Sequence, residues 1–285
     1  MKEKVCVITG ANAGIGKSTT QEIAKTGATI VMVCRNQQKA EKAREEIIAQ
    51  SNNPNVEIFL CDFAEQAQIK TVAQQLIQHY PTIDILINNA GFISASKTRE
   101  VTPEGIEKTV AVNHLGYFML TNLLKPSLLN SEAARIVNVS SEAHRFINFN
   151  LDNINIEKGY TPMNAYALSK LLNIHFTLAL AKCLEGTNIT VNALHPGVVR
   201  TNFSHNLSGF MNLVFLMAKP FMINADSGAA TSIYLATSPK VANTTGKYFA
   251  KKKLKRPNSD AQNIEYAEKV WEVSTQWTHL EGQTF

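Results

Sequence analysis

Short apolar runs alternate with longer segments of helical periodicity along this chain. Val5–Thr9, Thr29–Cys34, Val56–Leu60, Ile83–Asn88, Arg135–Ser140 and Thr190–His195 are rich in Val and Ile and show no in/out alternation, which predicts strands covered on both faces. Between them, Gly16–Thr26, Gln37–Gln50, Ala64–Tyr80, Pro103–Leu129 and Met163–Leu184 carry helical spacing. This repetition predicts an α/β fold: a doubly wound parallel sheet of about seven strands with helices on both faces. No Pro/Gly/Ser-rich linker and no repeat interrupts it, so one domain over residues 1–280 is expected. Ser259 or Asp260 is the expected cap of a last helix ending near Gln276, and 281–285 is expected to fray.

Composition narrows the class. The 285 residues are 45% hydrophobic and 18% charged, which excludes disorder over most of the chain. The net charge of +5 is too small to argue for nucleic acid. Cys6, Cys34, Cys61 and Cys183 show no CxxC spacing, so neither a disulfide framework nor a metal site is expected, and a reducing compartment fits. The longest greasy stretch, Phe210 to Ile223, contains Asn212, Lys219 and Pro220 and falls short of the roughly 18 apolar residues a membrane span needs. A cytoplasmic protein is expected.

Chemistry enters at the strand ends. The first strand runs into Thr9-Gly10-Ala11-Asn12-Ala13-Gly14-Ile15-Gly16, and a helix follows. Glycines allow a tight turn and close backbone approach, and a helix N-terminus offers free N–H groups to a pyrophosphate. The position of this turn between strand and amphipathic helix predicts a Rossmann-type nucleotide site. The second strand ends Cys34-Arg35-Asn36 with no carboxylate, where a site preferring NAD would place an acid. Arg35 is positioned for a 2′-phosphate and Lys17 for the same group, so NADP is expected. Asp62 after the third strand could accept from an adenine amino group, or simply cap the next helix.

The other half of the site collects Asn88-Asn89-Ala90-Gly91 after the fourth strand, Asn113 in a long helix, Ser140-Ser141 after the fifth strand, and Tyr166 with Lys170. Tyr166 and Lys170 stand at i and i+4, on one helix face. A lysine ammonium would stabilise the phenolate and lower the tyrosine pKa, which suits proton exchange with a carbonyl oxygen. A serine could donate to that oxygen. Spacing alone leaves open which serine acts.

These residues, in this order and with Pro196-Gly197…Thr201, resemble the short-chain dehydrogenase/reductase family over nearly the whole chain. The resemblance implies that Tyr166 is the general acid of reduction or base of oxidation. Lys170 also holds the nicotinamide ribose, Ser141 polarises the substrate carbonyl, and Asn113 supports a proton path. It further implies cofactor contacts from Gly10, Asn12, Gly14, Ile15, Gly16, Lys17, Arg35, Asn36, Asp62, Asn89, Ala90, Gly91, Tyr166, Lys170, Pro196, Gly197, Val199 and Thr201. Cys34-Arg35-Asn36, Val112-Asn113-His114-Leu115-Gly116, Asp226 to Pro239, Gly246 to Phe249 and Trp271 to Ser274 are similar to the retinol dehydrogenase branch. So is the long interval between Ser141 and Tyr166.

The branch implies a substrate lid at about 202–224, and this segment is rich in Phe, Leu and Met, which favours an apolar substrate. The expected activity is NADP(H)-dependent hydride transfer between nicotinamide and the carbonyl or alcohol of a retinoid or lipid-derived aldehyde or ketone. Reduction of an activated C=C bond, as in protochlorophyllide reductases, and non-catalytic NADP sensing stand as alternatives. The family commonly dimerises through the helices of Asn113 and Tyr166, so a homodimer is one expectation. Lys251-Lys252-Lys253-Leu254-Lys255-Arg256 reads as a solvated loop or as a weak contact with anionic lipid.

Overall fold

A computed structural model describes residues 1–197 and 224–285 of the chain. The six apolar runs form β1 (Val5–Thr9), β2 (Thr29–Cys34), β3 (Val56–Leu60), β4 (Ile85–Asn88), β5 (Arg135–Val139) and β6 (Thr190–His195). With β7 (Lys247–Ala250) and β8 (Lys253–Leu254) they make one eight-stranded sheet, ordered β3-β2-β1-β4-β5-β6-β7-β8. β1 to β7 are parallel, and β8 returns antiparallel along β7. The eighth strand is two residues long, too short to leave a periodic signal. The chain reverses into it through Lys251 and Lys252, which both take left-handed backbone, φ 50° and 61°.

The β-strand period of two divides the apolar side chains between two cores. Val7, Val31, Val33, Leu86, Ile136 and Val191 point into one face. Cys6, Ile8, Ile30, Met32, Ile85, Ile87 and Val137 point into the other. The second face is covered by α1 (Gly14–Ala24), α2 (Gln37–Ser51) and α8 (Ala225–Thr237), through Ile23, Ile47 and Leu235. The first carries α3 (Gln66–His79), α5 (Gly116–Leu123) and α7 (Pro162–Cys183), through Leu76, Phe118 and Phe176. α9 (Ile264–Thr278) lies outside α5 and α7: the Trp271 ring sits 5.0 Å from Phe118 and 5.9 Å from Phe176.

The continuous helix expected over Pro103–Leu129 is broken into pieces. Gly105 turns the chain at φ 79°, and the Glu107 carboxylate then caps α4 (Lys108–Val110) by accepting from the Val110 N–H at 2.8 Å. A π-helical turn, Ala111–Leu115, separates α4 from α5, and Pro126 opens the short α6 (Lys125–Leu129). The helical period survives these interruptions because each is local, so hydrophobic spacing alone does not register them.

Two expectations at the C-terminus are corrected. α9 is capped by Asn263, whose side-chain Oδ1 accepts from the Glu265 and Tyr266 N–H groups. Asp260 instead starts a 3₁₀ turn and accepts from the Phe149 N–H. Residues 281–285 fold back rather than fray. The Phe285 N–H donates to Asn122, Lys125 donates to the Thr284 carbonyl, and the Lys125 ammonium lies 5.4 Å from the Phe285 ring centre. An aromatic last residue gives the tail something to bury. Among the described residues no helix is long and apolar enough to cross a membrane.

The strand order reverses direction between β1 and β4. Open parallel sheets form their ligand crevice at such a switch point, outside the carboxyl ends of the strands. Among the described residues, the glycine turn, Arg35, Asp62, Asn89, Ser141 and Pro196 each follow one of those ends.

Candidate active site

The glycine turn after β1 is built for close approach. Gly10 and Gly14 adopt φ 64° and 52°. A Cβ on Gly16 would fall 2.2 Å from the Gly10 carbonyl oxygen and 2.5 Å from Asn89 Nδ2. The turn is pinned across the switch point to β4. Asn89 Nδ2 donates to the Thr9 carbonyl at 2.9 Å, and Thr9 Oγ1 accepts from the Asn89 and Ala90 N–H groups at 2.9 Å. Asn89 and Ala90 therefore hold the floor of the cradle. The Cys34 thiol at the end of β2 is hydrogen-bonded to the backbone of Ala11 and Asn12, although burial pushes it up to about 11. That link joins β2 to the turn and had no signature in the sequence.

α1 begins without a side-chain cap, since Ala13 precedes it. By contrast, Asn36, Thr161 and Asn263 cap α2, α7 and α9. The first-turn N–H groups and the positive dipole end of α1 are thus left for an anion in the crevice. This fits the pyrophosphate of a dinucleotide.

At the adenosine end, Arg35 is exposed and its guanidinium lies 3.7 Å from Asp62 Oδ2. Asp62 Oδ1 accepts from the Ala64 N–H at 3.0 Å, which closes a turn ahead of α3; the helix itself starts after Glu65 with no side-chain cap, so the alternative role of helix cap is corrected. Asn36 caps α2 by accepting from the Lys39 N–H at 2.9 Å. Lys17 is ion-paired with Glu46 on α2. Both ion pairs are partly exposed and individually weak, and a phosphate dianion would compete for either cation.

The reacting end draws together β4, β5 and α7. The two serines part company here. Ser140 is buried and donates to the Lys170 carbonyl at 2.6 Å. Ser141 is hydrogen-bonded to Tyr166. Of the two, Ser141 is therefore the one presented to the tyrosine. Lys170 Nζ donates to the Val139 carbonyl at 3.0 Å and lies 5.6 Å from the ring centres of both Tyr166 and Tyr117. A Cβ on Gly91 would lie 3.8 Å from Lys170 Nζ, so the segment after β4 comes within van der Waals reach of the lysine on α7.

Asn113 sits in the π-helical turn. Its side chain donates to the Phe92 carbonyl at 2.8 Å and to Ser169 Oγ at 3.0 Å, and accepts from the Phe92 N–H at 2.7 Å. It thereby ties the segment after β4 to α7. π-turns inside helices recur at functional sites.

Burial sets the ionisation of this pair. It pulls Lys170 down to about 7. It pushes Tyr166 up to about 12, with the Ser141 hydrogen bond acting the other way. The sequence-based picture of an ammonium lowering the phenol is corrected for this geometry. Tyr166 keeps part of its surface open, but the protein packed around it disfavours the phenolate more than its partners favour it.

Three contributors carried no motif. Tyr117 is buried and donates to the Ala90 carbonyl at 2.8 Å while its ring faces Lys170. His144, also buried, has Nδ1 2.6 Å from the Ser141 carbonyl, and Nε2 accepts from the Asn258 N–H at 3.3 Å. Glu142 binds Tyr248, Arg145 and Lys255, whose hydrogen bonds outweigh its burial and bring it down to about 2. All three act through folding partners distant in sequence, which periodicity does not encode.

Pro196 and Gly197 close the described part of the site, Gly197 at φ 100°. Val199, Thr201 and the expected lid lie outside the described residues, except Asn224, which caps α8. Among the described residues no three His, Cys, Asp or Glu side chains could jointly hold a metal ion.

A family model described as short chain dehydrogenase matches residues 4–212. The chain belongs to the short-chain dehydrogenase family. Within that family it is 38% identical over 292 residues to retinol dehydrogenase 14 of Mus musculus, covering 96% of this chain and 85% of that protein. It is 40% identical over 271 residues to retinol dehydrogenase 12 of Homo sapiens, covering 95% and 85%. These matches place this short-chain dehydrogenase in the retinol dehydrogenase-like branch. A crystal structure of an uncharacterised protein from Mycobacterium Paratuberculosis shares the fold, with a TM-score of 0.77 and 30% identity over 97% of this chain and 94% of that one. An oxidoreductase using a nicotinamide cofactor is the activity this membership carries.

Proposed function

We propose that the protein is an NADP(H)-dependent carbonyl reductase acting on an apolar aldehyde or ketone, of the retinoid or lipid-derived class, reversibly toward the alcohol. The observation that carries the reading is Ser141 hydrogen-bonded to Tyr166, with Lys170 within reach of both the tyrosine ring and Gly91. The names of its relatives, retinol dehydrogenases, supply the substrate class.

The glycine turn and the uncapped α1 would hold the pyrophosphate, Arg35 the 2′-phosphate, and Lys170 the nicotinamide ribose beside Gly91. The bound cofactor supplies the hydride. Ser141 donates to the substrate oxygen and fixes its position between serine and tyrosine. Tyr166 gives that oxygen its proton. With its pKa held up at about 12, Tyr166 is a neutral phenol at physiological pH and so carries the proton that reduction delivers. Lys170, near 7, takes up or releases a proton at little cost and can resupply the phenol.

Tyr166→Phe is expected to lower kcat with NADPH by at least about a hundredfold, while NADPH binding, followed by nicotinamide fluorescence, is retained. Turnover that survives the change rejects the mechanism. Arg35→Ser is expected to weaken kcat/KM for NADPH by roughly tenfold or more and leave NADH little changed. Equal loss with both cofactors rejects the 2′-phosphate role.

A further inference from the structure

The β7–β8 hairpin carries features the cofactor site does not use. Its two-residue turn holds Lys251 and Lys252, both at positive φ. Asn-Gly is the pair that such a turn prefers, because other L-residues are strained there. Two lysines at this tip mean that their side chains are kept against the backbone's preference, and strain of that kind gathers at functional surfaces.

What surrounds the tip is consistent in chemistry. Phe146 and Leu254, 76% and 65% exposed, are the most exposed large hydrophobic residues among those described. Leu254 lies on β8, and Phe146 ends the 3₁₀ helix Glu142–Phe146. Arg145 donates to the Arg256 carbonyl and Lys255 pairs with Glu142 at 2.8 Å, so the two elements stand side by side. Glu142 is the one carboxylate paired with this basic run among the described residues. On the far flank, Lys252 borders a shallow groove shared with Glu22 and Asp226, with no ion pair to either among the described residues.

We infer that this surface seats the protein on an anionic phospholipid bilayer. Lys251, Lys252, Lys253 and Arg256 meet the headgroups, and Phe146 and Leu254 enter the interface. A nucleic acid would satisfy the cations but leave Leu254 in water, whereas a bilayer takes both. Ser141 caps the helix that ends in Phe146, so the seated surface lies one short helix away from the reacting end.

Co-sedimentation of the full chain with phosphatidylcholine vesicles, with and without phosphatidylserine, tests this. The double variant K251N/K252G removes both charges and installs the favoured turn, so its melting temperature is expected to be no lower than that of the parent. Its partition onto phosphatidylserine vesicles is expected to fall roughly 30-fold. F146S/L254S is expected to weaken the same partition and leave the residual binding fully salt-sensitive. Equal binding to both vesicle types, or undiminished binding by K251N/K252G, overturns the proposal. So does binding to heparin or RNA with no binding to vesicles.

Discussion

Adjacent serines show how much a single residue's role depends on which way it faces. Just past the end of β5, Ser140 turns inward to the Lys170 carbonyl and Ser141, at the start of the next 3₁₀ turn, is left to Tyr166. Ser141→Ala is therefore expected to cut kcat by about a hundredfold, since it removes a donor acting on the reacting oxygen, with at most the modest stability loss of its cap on the following 3₁₀ turn. Ser140→Ala is expected to do the opposite. It deletes a buried hydrogen bond, costs about 1–3 kcal/mol of stability, and lowers kcat much less. Steady-state kinetics and thermal melts on the two variants check the division. A kcat loss from Ser140→Ala as large as that from Ser141→Ala would reverse the assignment.

Among the elements, the turn between β1 and α1 is the most tightly specified. Glycine is required at position 16 by space, because the backbone of Gly10 lies where a side chain would go. At position 91 a methyl group would make only ordinary contacts at 3.8 Å. Gly16→Ala is expected to open the turn and abolish detectable NADPH binding. Gly91→Ala is expected to fold normally and weaken binding modestly, by crowding the ribose beside Lys170. Isothermal titration with NADPH separates the two outcomes, and equal affinities would show that the turn does not cradle the cofactor. The broken helix from Lys108 to Leu129 belongs to this scale too. Its π-turn places Asn113 where it bridges Phe92 and Ser169, a job that uninterrupted α-helical spacing would not arrange.

For the whole molecule, burial of polar groups sets the response to pH. α7 is enclosed around most of its circumference, by the sheet, by α5 and by α9, and it buries Lys170 and His175. Burial lowers His114 to about 3 and His175 to about 4. Below the unfolded value near 6.5 the unfolded chain takes up protons that the folded one refuses. Stability therefore falls as pH drops from about 6.5 toward 4, by up to about 1.4 kcal/mol per pH unit for each histidine. Urea denaturation at pH 7 and pH 5 should show this loss, and replacing His175 with Asn should lessen it, leaving the share of His114. A pH-independent midpoint over that range would contradict the burial argument.

The six parallel strands, the doubly wound architecture and the positions of Gly16, Ser141, Tyr166 and Lys170 were legible in the chain. Each rests on local rules: β-branched runs, helical spacing, glycine where the backbone must turn, and i to i+4 placement on one helix face. The eighth strand, the breaks around Asn113, the C-terminal fold-back and the roles of Cys34, Tyr117 and His144 were not. Each depends on partners many residues away, such as Phe285 on Asn122 or His144 on Asn258. The direction of the Tyr166 and Lys170 shifts belongs with them. Sequence places a cation beside a phenol, but how far water is excluded from both is set by the packing of three strands and their helices. Local pattern therefore determined which chemistry the chain carries, while tertiary enclosure decided the ionisation state in which it is held.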